Sequence, residues 1–288
     1  MKPIALLIFL FASLTQSHAS TDRIYLSPME DSQWVITENG PRRCEIEHVI
    51  PRFGRAIFFQ ESGRQLQLKV TSRFNYKKDL DISFRSVTAN WKGIHTEASL
   101  ADLKSSGVSP LLHVTDNIAR QAYFELQQGY QPSLFFIDDA DGFNAVAVIL
   151  STVRFRDVEA DFNKCVESLH PYNFEDINQA LVHFDFDDEF PRVEEEEQAL
   201  GKILSYFRLD SSIKYLQVTG HTDFKGTECY NETLSARRAW YIYDYLVQND
   251  IDPRKLHIEF KGESEPLRKG KDDISRALNR RVEVKMIR

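Results

Sequence analysis

Alternating apolar and polar residues dominate the first half of the chain. The alternation is clearest at residues 66–70, 81–87 and 122–126. A period of two is typical of half-buried antiparallel strands. Asp141-Gly142, between two further apolar runs, is typical of a hairpin turn. Residues from about 21 to 150 are therefore predicted to form antiparallel β-structure, either a barrel or a sandwich.

The period changes after residue 150. Residues 158–169 carry apolar side chains at the spacing expected for one face of an amphipathic helix. Pro171-Tyr172-Asn173 then ends the pattern. We place a domain boundary there, so that residues 20–172 form a β-rich domain and residues 173–288 form a second domain.

Strands and helices alternate in the second domain. The pattern predicts strands at residues 182–186, 213–219, 256–260 and 281–285, and helices at residues 193–207 and 231–248. The order βαβαββ is typical of helices packed against one mixed sheet. The acidic run Glu194–Glu197 suits the first turn of the first helix. The chain is therefore predicted to be an α+β protein.

The N-terminus and the overall charge indicate where the protein works. Lys2 precedes an apolar run, and Ser17-His18-Ala19 has the small-x-small form of a cleavage site. Residues 1–19 are therefore predicted to be a secretory signal peptide, which places the mature chain in a bacterial periplasm. The formal net charge of −7 gives the whole protein no electrostatic reason to bind nucleic acid or an anionic membrane.

Three cysteines occur in this oxidising compartment, and an odd number leaves one unpaired. Cys229 lies in the second domain, whereas Cys44 and Cys165 lie near the two ends of the β-rich domain. The helix predicted at residues 158–169 would bring Cys165 back toward Cys44. We predict a Cys44–Cys165 disulfide, with three reduced thiols as the alternative.

One charged residue interrupts the apolar stripe of the longest predicted helix. Arg238 lies between Leu234 and Tyr241 on that stripe. A buried charge without a partner costs several kcal/mol, so Arg238 needs one. Asp223, in the segment that leads into the helix, is the natural candidate. Spacing alone leaves two interpretations open, a structural ion pair and a clamp for a zwitterionic ligand.

A series of short motifs runs through the second domain. They are Phe184-Asp185-Phe186-Asp187, Gly220-His221-Thr222-Asp223, Tyr230-Asn231, Leu234-Ser235, Arg237-Arg238-Ala239, Gly262-Glu263 and Asn279-Arg280-Arg281-Val282-Glu283. From about Val182 to the C-terminus the chain resembles the peptidoglycan-binding domain shared by OmpA C-terminal regions, the peptidoglycan-associated lipoprotein and MotB-type stator proteins.

The resemblance implies a role for individual residues. It implies that Asp223 binds the amine and Arg238 a carboxylate of the diaminopimelate in the peptidoglycan stem peptide. The predicted contacts to the same group also include Asn231, Thr222 and Leu234, with Asp187 and Arg281 at the rim. No catalytic residue, cofactor or metal site is predicted.

The arrangement of the whole chain resembles the MotY family, which are periplasmic components of sodium-driven polar flagellar motors. This resemblance implies a protein of the T ring around the flagellar basal body. It also implies that the β-rich domain binds MotX and helps to hold PomA/PomB stators in place, while the second domain binds the cell wall.

Two other functions fit parts of the sequence. A general tether between outer membrane and wall would use the same second domain without a flagellar role. A wall hydrolase would need a pair of carboxylates, for which Asp185, Asp187, Asp188 and Glu189 are the candidates. Adjacent acids at the end of a strand point to alternate faces, which disfavours a catalytic pair, so we predict that the protein is not an enzyme.

Overall fold

A computed structural model describes residues 23–76, 79–89, 91–93, 96–138, 144–191 and 193–288. The predicted signal peptide and the predicted turn at Asp141-Gly142 lie outside these residues, as do the side chains of residues 193–196. The chain divides into two units. One contains the residues up to Trp34, His48–Ala56 and Leu68–Phe155, and the other contains Val35–Glu47, Ile57–Gln67 and Arg156–Arg288. The boundary between residues 172 and 173 stays a prediction.

Two sheets account for the β-structure before residue 150. Their strands are β1 (Arg23–Tyr25), β2 (Trp34–Gly40), β3 (Arg43–Ile50), β4 (Gly54–Glu61), β5 (Gln67–Ser72), β6 (Leu80–Thr88), β7 (Glu97–Ser105), β8 (Leu112–Thr115), β9 (Tyr130–Asp138) and β10 (Asn144–Ile149). One sheet has the order β1-β10-β9-β6-β7 and the other β2-β3-β4-β5-β8. In the first sheet β1 is parallel to β10, and the other neighbours are antiparallel. Neither sheet closes into a barrel over the described residues.

Residues 122–126, predicted as a strand, instead form part of helix α1 (Asp116–Gln127). Its buried residues are Ala119, Ala122, Tyr123 and Leu126, which recur every three or four positions along one helical face. Phe124, which a strand would place on the same face as Ala122 and Leu126, is 49% exposed. Periodicity alone does not distinguish a helix from a strand in so short an apolar run.

Helix α2 (Phe155–Glu167) occupies the segment predicted to be helical and carries the second cysteine of the predicted pair. Cys165 forms a disulfide with Cys44 of β3, with the two Cα atoms 5.9 Å apart. Both cysteines are buried, whereas Cys229 is exposed and free. The predicted pairing is therefore confirmed.

The rest of the chain builds one mixed sheet with helices. Its elements are α3 (Phe174–Ile177), β11 (Gln179–His183), α4 (Val193–Leu209), β12 (Tyr215–Gly220), α5 (Glu228–Gln248), a 3₁₀ turn (Pro253–Lys255), β13 (Leu256–Phe260), α6 (Asp273–Asn279) and β14 (Arg281–Ile287). The strand order is β11-β14-β12-β13, with β12 parallel to β13 and antiparallel to β14. The predicted βαβαββ order is confirmed, and α3 and α6 are additions that the pattern did not predict.

Close packing of α5 on β12 fixes the end of the strand that carries the central motif. A Cβ atom added to Gly220 would lie 2.1 Å from the backbone oxygen of Ser235 on α5. Only glycine permits this approach. The strand and helix enclose a core that includes Val218, Ile242 and Val284. Over the described residues, no helix combines the length and the apolar character needed to span a bilayer.

A buried carboxylate of the second unit pairs with two arginines. Asp210 is almost fully buried and accepts hydrogen bonds from Arg42 at 2.7 Å and Arg288 at 3.0 Å. Burial raises the pKa of Asp210, but hydrogen bonds from Ser212, the bond from Arg288 and the charge of Arg42 outweigh burial and hold that pKa below its usual value. The carboxylate is therefore ionised at neutral pH and stabilises three separate segments of the unit.

Candidate functional site

A cavity of about 190 Å³ opens where β12 ends and α5 begins. Six of the seven residues predicted to bind the ligand line it: Asp187, Thr222, Asp223, Asn231, Leu234 and Arg238. The cavity is smaller than a typical pocket for a drug-sized ligand, so it suits a single small polar group. We call it the clamp pocket.

Arg238 is fully buried at the base of this site. Its guanidinium donates to three backbone carbonyl oxygens, those of Asp188 at 2.7 Å, Asp185 at 3.1 Å and His221 at 3.3 Å. These bonds use Nε and one N–H of each terminal nitrogen, which leaves one N–H on each terminal nitrogen for a ligand. Two N–H groups on the terminal nitrogens can bind a carboxylate in bidentate fashion when they lie parallel.

Arg238 keeps its positive charge although it is buried. The pKa of Arg238 is lowered to about 10, mainly by burial and also by the neighbouring charge of Arg280, while Asp223 acts in the opposite direction. The guanidinium is therefore protonated at neutral pH. The Phe184 ring lies 5.0 Å from the guanidinium carbon and adds a cation–π contact.

Spacing left a structural ion pair and a ligand clamp open for Asp223 and Arg238, and the ion pair is not formed. Its Oδ2 accepts a hydrogen bond from Arg280 at 3.0 Å, and its Oδ1 accepts one from the backbone N–H of Lys225 at 2.9 Å. The carboxylate is 3% exposed. The purely structural Asp223–Arg238 pair is therefore excluded, and both residues face the clamp pocket with other partners.

Arg281, predicted at the rim, does not line the pocket, and Arg280 takes its place. Arg281 is buried and donates to Glu283 at 2.5 Å through Nη2 and 2.8 Å through Nε. Successive residues at the start of a strand point to opposite faces, so only one of two adjacent arginines can face the pocket. The Arg280-Arg281 doublet was the available signal, but it did not show which member faced the pocket.

The loop between β12 and α5 and the first turn of α5 hold the remaining polar groups. The backbone N–H of Thr222 donates to the carbonyl oxygen of Gly262 at 2.8 Å, and the Thr222 hydroxyl is buried without a partner among the described residues. Asn231 donates its side-chain N–H to Glu263. Gly226 has a φ of +118°, and a Cβ atom there would lie 2.9 Å from Asn231 Oδ1. Glycine is therefore required beside Asn231.

An aromatic rim surrounds the opening, and sequence reasoning missed it. Phe186 is 62% exposed, with the ammonium group of Lys225 5.4 Å from its ring centroid. The Tyr230 hydroxyl donates to Asp187, whose backbone has a φ of +62°. This hydrogen bond to the Asp187 carboxylate raises the pKa of Tyr230 above its usual value. Asp187 is therefore held at the rim as an exposed carboxylate.

Comparison with known proteins places both halves of the chain. A family model described as the MotY N-terminal domain matches residues 25–171, just over half of the 288 residues. The chain belongs to the MotY N-terminal domain family. A second model, described as the OmpA family, matches residues 186–280, which include Asp223, Arg238 and Arg280. The clamp pocket therefore lies within the OmpA match.

One relative is similar along nearly the whole chain, and two others are similar over shorter parts of it. The sodium-type flagellar protein MotY of Vibrio parahaemolyticus is 25% identical over 274 residues, which is 94% of this chain and 92% of that protein. Outer membrane protein A of Bordetella avium is 38% identical over 38% of this chain and 56% of its own length. The peptidoglycan-associated lipoprotein of Pseudomonas aeruginosa is 40% identical over 27% of this chain and 46% of its own length. The last two are each similar over less than two fifths of this chain.

Proposed function

We propose that this chain is a non-enzymatic periplasmic component of a sodium-driven flagellar motor that binds peptidoglycan through the clamp pocket. The observation that carries the proposal is Arg238, a fully buried cation with an N–H left on each terminal nitrogen, in one pocket with the carboxylates of Asp187 and Asp223. A buried charge is costly to keep, so its retention in an open pocket favours a ligand of opposite charge.

The charges of the clamp pocket suit a zwitterion. Arg238 would bind a carboxylate in bidentate fashion. The ligand amine would contact Asp223, since a carboxylate has about four lone-pair positions and this one uses one on each oxygen. Asp187 adds a second negative charge at the rim. The diaminopimelate of the peptidoglycan stem peptide carries both an amine and a carboxylate on one carbon and fits this arrangement.

The flagellar role rests on similarity along nearly the whole chain. A relative named a sodium-type flagellar protein is similar over 94% of it. On this basis residues 25–171 would bind MotX and, through it, the PomA/PomB stators of the T ring at the basal body. The second domain would anchor this assembly to the wall in the periplasm.

Three of the four carboxylates considered for hydrolysis have local roles that support a non-enzymatic function. Asp188 Oδ1 accepts a hydrogen bond from the backbone N–H of Phe190 at 2.9 Å, and Glu189 pairs with Arg237 at 3.5 Å on the surface. Asp187 accepts the hydroxyl of Tyr230. Release of muropeptides from purified sacculi by the protein would overturn this part of the proposal.

Sedimentation with purified sacculi tests the clamp. Asp223→Asn removes the charge that would bind the amine and keeps the size of the side chain. A charge-assisted hydrogen bond is worth about 1.5–3 kcal/mol, so we expect binding to weaken by about tenfold or more. Asp244→Asn on the exposed face of α5 makes the same charge change outside the pocket and should have no effect. Equal sedimentation of both variants would refute the clamp.

Gene deletion separates a motor component from a general tether. Loss of swimming in cells with an intact envelope supports the motor role. Leaky envelopes in cells that still swim would overturn it in favour of the tether.

A further inference from the structure

A second cavity adjoins the clamp pocket, and the proposed function does not use it. It has a volume of about 370 Å³, and Thr222 lines both cavities. Three cations line it: Arg268, Lys269 and Lys271. We call it the basic cavity. Glu263 also lines it and hydrogen bonds to Asn231 of the clamp pocket, so the two cavities share a wall.

The three cations outnumber the one carboxylate that lines the same cavity, Glu263, and the charge of Arg268 also helps to lower the pKa of Asp272. In the described part of the chain, none of Arg268, Lys269 and Lys271 forms an ion pair, although all three side chains are exposed. Lys261, a few residues earlier, shows the ordinary arrangement, with Glu259 at 3.2 Å and Glu265 at 3.3 Å. The basic cavity therefore carries a local excess of positive charge on a chain whose net charge is −7.

Contacts with Asn279 and with helix α6 hold the backbone segment that carries these cations. Asn279, which is buried, accepts a hydrogen bond from the backbone N–H of Arg268 and donates one to its carbonyl oxygen, both at 3.0 Å. Gly270 lies so close to α6 that an added Cβ atom would be 2.3 Å from the Ser275 hydroxyl oxygen. A backbone that is already ordered lowers the entropy cost of binding.

An aromatic side chain completes the cavity wall. Phe224 lines the basic cavity and is 39% exposed, with the Lys271 ammonium 5.7 Å from its ring centroid. The neighbouring Asp223 lines the clamp pocket instead. The loop after β12 therefore presents successive residues to the two cavities.

From this geometry we infer that the basic cavity is an accessory subsite for a second carboxylate of the peptide whose diaminopimelate occupies the clamp pocket. The inference rests on the proposed function. Arg and Lys side chains bind carboxylates through charge-assisted hydrogen bonds. A stem peptide carries carboxylates beyond those of the diaminopimelate group, and the shared Thr222 and Glu263–Asn231 wall places the cations in the cavity next to that group.

Binding of three defined probes to the full chain tests this subsite. The probes are free diaminopimelic acid, a stem tetrapeptide with free carboxylates, and the same peptide with the carboxylates outside its diaminopimelate residue converted to amides. In the double variant Arg268→Gln/Lys271→Gln, affinity for the free-carboxylate peptide should fall by about tenfold at low salt. Affinities for diaminopimelic acid and for the amidated peptide should not change.

A matched control removes the same charges elsewhere. Lys214→Gln/Arg254→Gln changes one Lys and one Arg on exposed positions outside both cavities and should bind all three probes like the unmodified chain. Equal loss in both double variants, or no loss in either, would overturn the accessory subsite.

Two further outcomes separate the hypotheses. Loss in the Arg268→Gln/Lys271→Gln variant that appears only with phosphatidylglycerol vesicles would overturn the peptide subsite in favour of a lipid surface. Failure of the unmodified chain to bind diaminopimelic acid and either peptide would overturn the proposed function and the subsite together. Normal binding of diaminopimelic acid, with the free-carboxylate peptide bound equally by the unmodified chain and the variant, overturns the subsite alone.

Discussion

Replacing Arg238 with Lys should destabilise the protein as well as abolish ligand binding, although the charge is kept. The Arg238 guanidinium donates to three backbone carbonyls between 2.7 and 3.3 Å. A Lys ammonium is a compact group without the planar spread of donors, so it would leave at least one carbonyl unpaired. Hydrogen bonds to charged groups contribute about 1.5–3 kcal/mol each, and we therefore expect the free energy of unfolding to fall by about 2–4 kcal/mol.

The neighbouring residue supplies the control. Arg237 lies on the same helix, is half exposed and pairs with Glu189 at 3.5 Å. Arg237→Lys should change the free energy of unfolding by less than about 0.5 kcal/mol, as expected for an exposed pair.

Urea unfolding followed by circular dichroism gives the stabilities of both variants. Hydrogen exchange measured by mass spectrometry should show faster exchange around residues 185–188 in Arg238→Lys only. If both variants unfold at the same urea concentration while Arg238→Lys alone loses sacculus binding, the carbonyl bonds are not stabilising and our reasoning about Arg238 is wrong.

Three further predictions concern the framework around the pocket. Cys44→Ser should lower the free energy of unfolding by up to about 4–5 kcal/mol on the chain-entropy model, whereas Cys229→Ser should have little effect, as measured by urea unfolding. Asp210 has a lowered pKa, so its ionised form contributes stability above pH 4 that is lost as the pH falls through that lower value; a stability profile of Asp210→Asn should lack this acid-dependent loss. Gly220→Ala should destabilise by about 3 kcal/mol because of overpacking, whereas Gly201→Ala, in open space on a helix, should stabilise by up to about 1 kcal/mol in thermal unfolding.

Long, strongly periodic elements made the second domain predictable. The α5 helix, the strand before it and the motif between them all have clear sequence signals, so six of the seven predicted ligand contacts line the clamp pocket. The disulfide was predictable because Cys229 lies in the second domain, which left two cysteines near the ends of the first. The sequence pattern was therefore sufficient to predict site residues wherever a long apolar repeat determined which side chains are buried.

The side of the sheet to which a side chain points at the start of a strand was not predictable. A shift of one residue turns every side chain of a strand to the other face, so the Arg280-Arg281 doublet could not show which arginine meets Asp223. Helix α1 was missed because residues 122–126 fit both a period of two and a helical face. Helix α6 is short and polar, and its N-cap Asp272, which accepts from Ser275 N–H, is a weak local signal.

The partner of Arg238 was the other residue-level error. An arginine on an apolar stripe predicted a carboxylate partner, but the buried guanidinium is satisfied by backbone carbonyls instead. Carbonyl oxygens occur at every residue and have no sequence signal, so only the path of the loop around residues 185–188 brings them to Arg238.

The Cys44–Cys165 disulfide also sets how far the protein can be stretched. The bond joins residues separated by 121 positions, and at roughly 3.5 Å per extended residue that segment has a length of about 420 Å. When tension is applied between the two ends of the folded chain, the force passes through the disulfide from one cysteine to the other. The segment between the two cysteines is then not extended. A protein held at the wall and pulled at its other end would thus extend far less under oxidising than under reducing conditions.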